Sequence, residues 1–222
     1  MFVKQTLNEF MNNLAARTPA PGGGAACGLS GVLGAALGSM CANYTTGDEK
    51  FKTIEPQVLT LLQRCEDART QLLALADRDA TAYAIWQAAR KLPKATPEEK
   101  ASRKSAIERA KEEATRVPEQ ILELAEATLG IIAQLTPLCN PQLVADAAVA
   151  AYLLEAAARG AGLQVLGNLD PVQATEHALN ESERGLRTRE RILHCGALRI
   201  AIENAVYTRM NLRSLYPENS AG

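Results

Sequence analysis

Residues 18–47 carry no charged side chain, and no other stretch of this 222-residue chain limits its fold so narrowly. The run opens Thr18-Pro19-Ala20-Pro21-Gly22-Gly23-Gly24 and continues as an alanine-, glycine- and leucine-rich segment to Asn43. That segment is most simply a helix over residues 25–43, apolar around most of its circumference and therefore buried on several sides. Gly24, Gly28, Gly31, Gly34 and Gly38 recur at three- and four-residue spacing, which gathers them on a helix face and lets neighbouring backbones come close. A central helix of a bundle, or one at a dimer interface, satisfies that pattern. The run is also long enough to cross a bilayer. Its flanks carry no basic cluster, however, and glycine and alanine offer little surface to lipid, so the expectation is a buried helix and no membrane. Three consecutive glycines ahead of a helix leave backbone N–H groups bare, a setting for an anion or for close approach of a ligand.

Composition sets the rest of the fold class. The chain is 47% hydrophobic but only 4% aromatic, and strand-favouring residues are sparse, so helix dominates. The net charge of −1, with mixed signs throughout, argues against a basic surface for nucleic acid. Cys27, Cys41, Cys65, Cys139 and Cys195 are odd in number and widely spaced, unlike a secreted disulfide framework or a zinc site. With no apolar leader after Met1-Phe2-Val3-Lys4, a reducing, cytoplasmic setting is the expectation. His177 and His194 lack metal-ligand spacing, and no metal is expected.

Periodicity places the elements in a single all-α domain over residues 1–222. A first helix is predicted over residues 3–17 and the apolar helix over 25–43. A long third helix is opened by Glu55-Pro56 and runs to Lys91. After a break at Leu92-Pro93-Lys94-Ala95, Thr96-Pro97-Glu98-Glu99 reads as a capping box. The charged helix that follows, residues 98–116, is expected to kink or restart at Pro118 and to continue over 121–135. Asn140-Pro141 opens another helix to Leu163, and Asp170-Pro171 caps a last one reaching Arg213. Val165 and Leu166 are the only strand-like fragment.

Four segments carry a resemblance. Thr18 to Gly24 is similar to the opening motif of the cyclodeaminase domain of the formiminotransferase-cyclodeaminase family, which includes stand-alone methenyltetrahydrofolate cyclohydrolases. Asp79-Ala-Thr-Ala-Tyr83 resembles its D-x-x-A-[FY], and Leu92-Pro93-Lys94 with Thr96-Pro-Glu-Glu-Lys100 its L-P-K-x-T-x-E-E-K. Asn140-Pro-Gln-Leu-Val-Ala-Asp146-Ala-Ala-Val-Ala resembles its N-x-x-x-x-S-D-A-G-V-A. The resemblance implies a helical homodimer acting on a folate-bound one-carbon unit, with a tetrahydrofolate derivative as substrate and no further cofactor. The stand-alone length points to hydrolysis of methenyltetrahydrofolate. Cyclisation of formiminotetrahydrofolate with loss of ammonia, and a non-catalytic folate- or protein-binding descendant, are the alternatives.

Hydrolysis of a cationic methenyl bridge calls for a carboxylate that favours the cation and shuttles a proton. Asp146 comes first, because Val144, Ala145, Ala147, Ala148 and Val149 surround it in sequence and suggest a crowded, perturbed acid. Helix capping or an arginine partner would explain it equally well. Asp79 comes second, with Tyr83 one turn on as an orienting donor. Pro21, Gly22, Gly23 and Gly24 form the ligand loop, and Asn43, Lys50, Lys94 and Asn140 complete the expected binding set. Two departures stand out. Asp48 and Glu49 replace two lysines of the family's N-L-T-x-G-K-K-K-Y, leaving Lys50, and Ala145 and Ala148 replace the serine and glycine beside the aspartate.

Overall fold

The computed structural model describes residues 4–169 and 182–212. Among these the chain forms helices α1 (Leu7–Ala15), α2 (Gly23–Asn43), α3 (Glu55–Arg90), α4 (Pro97–Leu135), α5 (Val144–Leu169) and α6 (Glu183–Arg209), and no strand. The all-α expectation holds. Short 3-10 turns, Glu49–Phe51 and Pro141–Leu143, precede α3 and α5.

Caps set most of the boundaries. Thr6 and Glu9 form a capping box that starts α1 at Leu7, later than periodicity placed it. Thr96 and Glu99 form the second box, with Pro97 in the first turn, as their spacing predicted. Asn140 accepts the N–H of Gln142 and opens the 3-10 turn ahead of α5. α5 runs on to Leu169 and takes in Val165, which is fully buried, so the strand-like fragment is helical. The expected cap at Asp170-Pro171 lies outside the described residues; α6 is capped by Ser182 and ends at Arg209, short of Arg213.

Pro118 does not interrupt α4, which is one helix from Pro97 to Leu135. A proline removes the hydrogen bond to the carbonyl four residues back, here Ala114. Asn168 of α5 supplies the missing donor, its Nδ2 lying 3.0 Å from the Ala114 carbonyl oxygen. A neighbouring helix has replaced the bond that the proline deletes.

α2 is the centre of the bundle. Gly28 lies against Ala76 and Gly31 against Leu72 of α3, while Gly38 meets both Cys65 of α3 and Ile132 of α4. Gly34 faces the other way, onto Leu154 and the Ala150 carbonyl of α5. The glycines are therefore spent on contacts within the chain. Although α2 is long and apolar enough to span a membrane, its glycine side is enclosed by three helices. Its outer side is uncharged and open: Leu33, midway along, is 57% exposed, with Leu29, Leu37 and Met40 half-buried around it.

Because α2 and α3 run antiparallel with Gly24 opposite Asp79, α3 continues past the start of α2. It pairs there with α4 as a hairpin, tied by Arg78–Glu113 and by the Arg103 guanidinium donating to the Arg90 carbonyl.

A methyl group tests this packing in both directions. At Gly34 a Cβ would lie 2.6 Å from Leu154 Cγ and 2.9 Å from a backbone oxygen. Gly34→Ala is expected to lower stability by about 1–3 kcal/mol. Gly130, inside α4, has nothing within 4 Å of that position, and Gly130→Ala should stabilise by roughly 0.5–1 kcal/mol. Denaturant unfolding of the two variants checks both signs.

Candidate active site

α2 begins without a cap of its own. Its N-cap residue is Gly22, which has no side chain to offer the first N–H groups of the helix. Asp79 reaches this end of α2 from α3, where the nearby Ala25 N–H acts to lower its carboxyl pKa. It also occupies the place where a side chain on Gly24 would begin, for a Cβ there would lie 2.1 Å from Asp79 Oδ1 and 2.5 Å from Oδ2. Gly24 is thus a requirement of close approach.

A pocket of about 230 Å³ opens at this point. Gly22, Gly23 and Gly24 line one wall, and Asp79 and Tyr83 the α3 wall. Ala114 of α4 closes it together with Gln164 and Asn168 of α5. The Asn168 amide that restores the hydrogen bond lost at Pro118 therefore belongs to the pocket wall. Asp79 is the one formally charged residue of the lining, so the pocket favours a cation. Burial pushes the Asp79 carboxyl up to about 6, against the lowering effect of the Ala25 N–H. Beside it, burial and the Asp79 charge push the Cys27 thiol up to about 11, which keeps it protonated and unreactive near neutrality. Tyr83 Oη accepts from Gln87 Nε2 at 2.7 Å, leaving the phenolic proton to be donated elsewhere.

The structure separates the expected site residues into two groups. Gly22, Gly23, Gly24, Asp79 and Tyr83 meet in the pocket, with Pro21 buried in the adjoining loop. Asn43, Lys50, Asn140 and Asp146 gather at the opposite end of α2, about 30 Å away by helical rise over 21 residues. There Asn140 Nδ2 donates to the Tyr44 carbonyl, and its backbone N–H donates to the buried Thr45 hydroxyl. Asp146 is half-exposed in the first turn of α5, near Cys41. It is not the crowded acid its sequence neighbours suggested, because Ala145 and Val149 point to solvent. Lys94 lies exposed in the α3–α4 break. His194 pairs with Glu126 at 2.7 Å, while His177 falls outside the described residues.

Sequence reasoning missed Gln164 and Asn168. The available signal was local: they are polar positions one turn apart in an otherwise apolar helix end, and Pro118 implied a carbonyl in need of a donor.

The central helix of an all-helical bundle thus starts against a buried carboxylate in the wall of a pocket. Residues 6–184 match the family model described as formiminotransferase-cyclodeaminase, and the chain belongs to that family. It is 33% identical to methenyltetrahydrofolate cyclohydrolase of Methylorubrum extorquens over 93% of this chain and 98% of that protein. It is 34% identical to formimidoyltransferase-cyclodeaminase of Rattus norvegicus over 81% of this chain, but spans only 33% of that longer protein. The crystal structure of formiminotetrahydrofolate cyclodeaminase from Thermotoga maritima superposes with a TM-score of 0.75 at 25% identity, covering 95% of this chain and 98% of that one.

The two glycines of the wall should respond differently to the same change. Gly24→Ala drives a methyl into the Asp79 carboxylate and is expected to cut catalytic turnover by at least about tenfold. At Gly23 the nearest atom is the movable Gln164 Nε2, 2.9 Å away, so Gly23→Ala should cost about threefold or less. Steady-state rates of folded variants decide; equal losses would detach Asp79 from the chemistry.

Proposed function

We propose that this chain hydrolyses 5,10-methenyltetrahydrofolate to 10-formyltetrahydrofolate, with Asp79 handling the proton. The observation that carries the reading is the buried Asp79 carboxyl, held near neutrality as the single charge of the pocket. An ionised Asp79 attracts the cationic methenyl bridge and takes a proton from the water that attacks the bridging carbon. As the bond from that carbon to N5 breaks, Asp79 returns its proton to N5, and the remaining hydroxyl proton leaves to solvent as the formyl carbonyl forms. One carboxyl near its own pKa can serve as base and then acid. Tyr83 steadies the developing hydroxyl with its free proton, while the loop amides and Gln164 meet the polar edge of the pterin. The reaction needs no cofactor beyond the folate. Similarity to a cyclohydrolase over nearly the whole chain supports hydrolysis. The likeness to a solved cyclodeaminase supports ring closure with loss of ammonia as the second reading. Ammonia released from formiminotetrahydrofolate would select that branch, and binding of either folate without turnover would mark a non-catalytic descendant.

Asp79→Asn should reduce turnover by about a hundredfold or more, the usual weight of a positioned acid–base group. Wild-type kcat/KM should fall as pH drops below about 6, where Asp79 takes up its proton. Stability moves the other way. A carboxyl whose folded pKa is raised is a liability when ionised, so Asp79→Asn is expected to stabilise the protein by about 1–3 kcal/mol at pH 7. That gain should shrink towards pH 4. Rate–pH profiles and unfolding at two pH values test both statements.

The same reading includes a cytoplasmic homodimer. Free cysteines, all buried but the half-buried Cys27, suit a reducing compartment. A two-fold axis at Leu33, midway along α2, would cover the open apolar side of that helix. It would also run the two α2 helices antiparallel, bringing the Asn43, Asn140 and Asp146 end of the partner to the Gly22–Gly24 end of the first chain. Leu33→Glu should yield a helical monomer with little activity. Sedimentation and circular dichroism check it; an active monomer would remove the dimer from the mechanism.

A further inference from the structure

The 230 Å³ pocket is smaller than the roughly 300–1,000 Å³ that encloses a whole drug-sized ligand. It admits the reacting end of a folate and leaves the arm outside. One direction out of it is built differently from the others. Asp79, Tyr83, Trp86 and Arg90 follow one another at spacings of four, three and four, which puts all four on one face of α3. That face looks towards α2 as far as Asp79 and then passes beyond the start of α2 along the α3–α4 hairpin. Over the eleven residues from Asp79 to Arg90 the strip extends about 16 Å.

Its chemistry changes along its length. Tyr83 and Trp86 meet edge to face, centroids 5.9 Å apart at 81°. The Arg90 guanidinium lies over the Trp86 ring at 5.7 Å, and no acidic partner for it occurs among the ion pairs of the described residues. Trp86 Nε1 is buried with no hydrogen-bond acceptor. A second guanidinium, that of Arg103, is brought to the same end by its bond to the Arg90 carbonyl. The strip runs from a carboxylate through two aromatic rings to a cation.

We propose that this strip is the track for the aminobenzoyl-glutamate arm of the substrate. The benzoyl ring packs on Trp86 and Tyr83, and Arg90, already oriented by the indole, takes the glutamate α-carboxylate as a charge-assisted pair. The proposal rests on the folate reading of the pocket and adds the residues that choose between folates with and without a glutamate.

The test compares 5,10-methenyltetrahydrofolate with 5,10-methenyltetrahydropteroate, which lacks only the glutamate, in wild type, Arg90→Gln and Trp86→Phe. Arg90 is exposed, so its variant is expected to fold. Wild type should prefer the glutamyl substrate by about tenfold in kcat/KM, through KM, and Arg90→Gln should bring that ratio close to one. Trp86→Phe keeps a ring and should hold the ratio within about threefold of wild type. A preference unchanged in Arg90→Gln overturns the tail assignment while leaving the folate reading standing. So does a loss equal for both substrates, which would mark Arg90 as structural. Wild type that neither turns over nor binds either substrate overturns the folate reading and the track with it.

Discussion

A carboxylate pressed into the space left by a missing Cβ is the contact on which the structure turns. Asp79 and Gly24 fix the height at which α3 crosses α2, and that height determines which residues lie at the mouth of the pocket. The same contact lies at the start of a helix whose own N-cap residue, Gly22, has no side chain. Removal from water raises the pKa of the acid to about 6 and keeps it exchangeable at the pH of a cell. Packing and the state of this carboxyl thus share one interaction, and a change that relieves the crowding there also alters the acid.

Much of the fold was legible. The capping box at Thr96 and Glu99 has a sequence signature and needs no tertiary information. The uncharged run demanded burial, and its glycine spacing anticipated close neighbours. Pro118 misled because the carbonyl behind it is answered by Asn168, fifty residues on from the proline, and the sequence around the proline does not name that partner. The start of α1 slipped for a different reason: periodicity cannot distinguish a first turn from the extended residues before a cap.

The site was legible in part. The spacing of Asp79 and Tyr83 placed both on one face, and that face opens onto the pocket. Asp146 ranked ahead of Asp79 because its sequence neighbours are apolar, yet neighbours in sequence point around a helix and say little about what one position faces. Ala145 and Val149 turn out to solvent, and Asp146 sits on the boundary beside them. Motifs that read as one set fall at two ends of a single long helix, a separation set by the length of α2.

The bond between Asn168 and the Ala114 carbonyl has an outcome for the way this chain can drift. Proline at 118 is tolerable while an amide side chain on α5 answers the orphaned oxygen, and that amide also forms part of the pocket wall. Neither position is free to wander alone, since losing the amide strands an acceptor and losing the ring leaves one carbonyl courted by two donors. A substitution in the middle of α4 would therefore reach the pocket wall through a partner far from it along the chain.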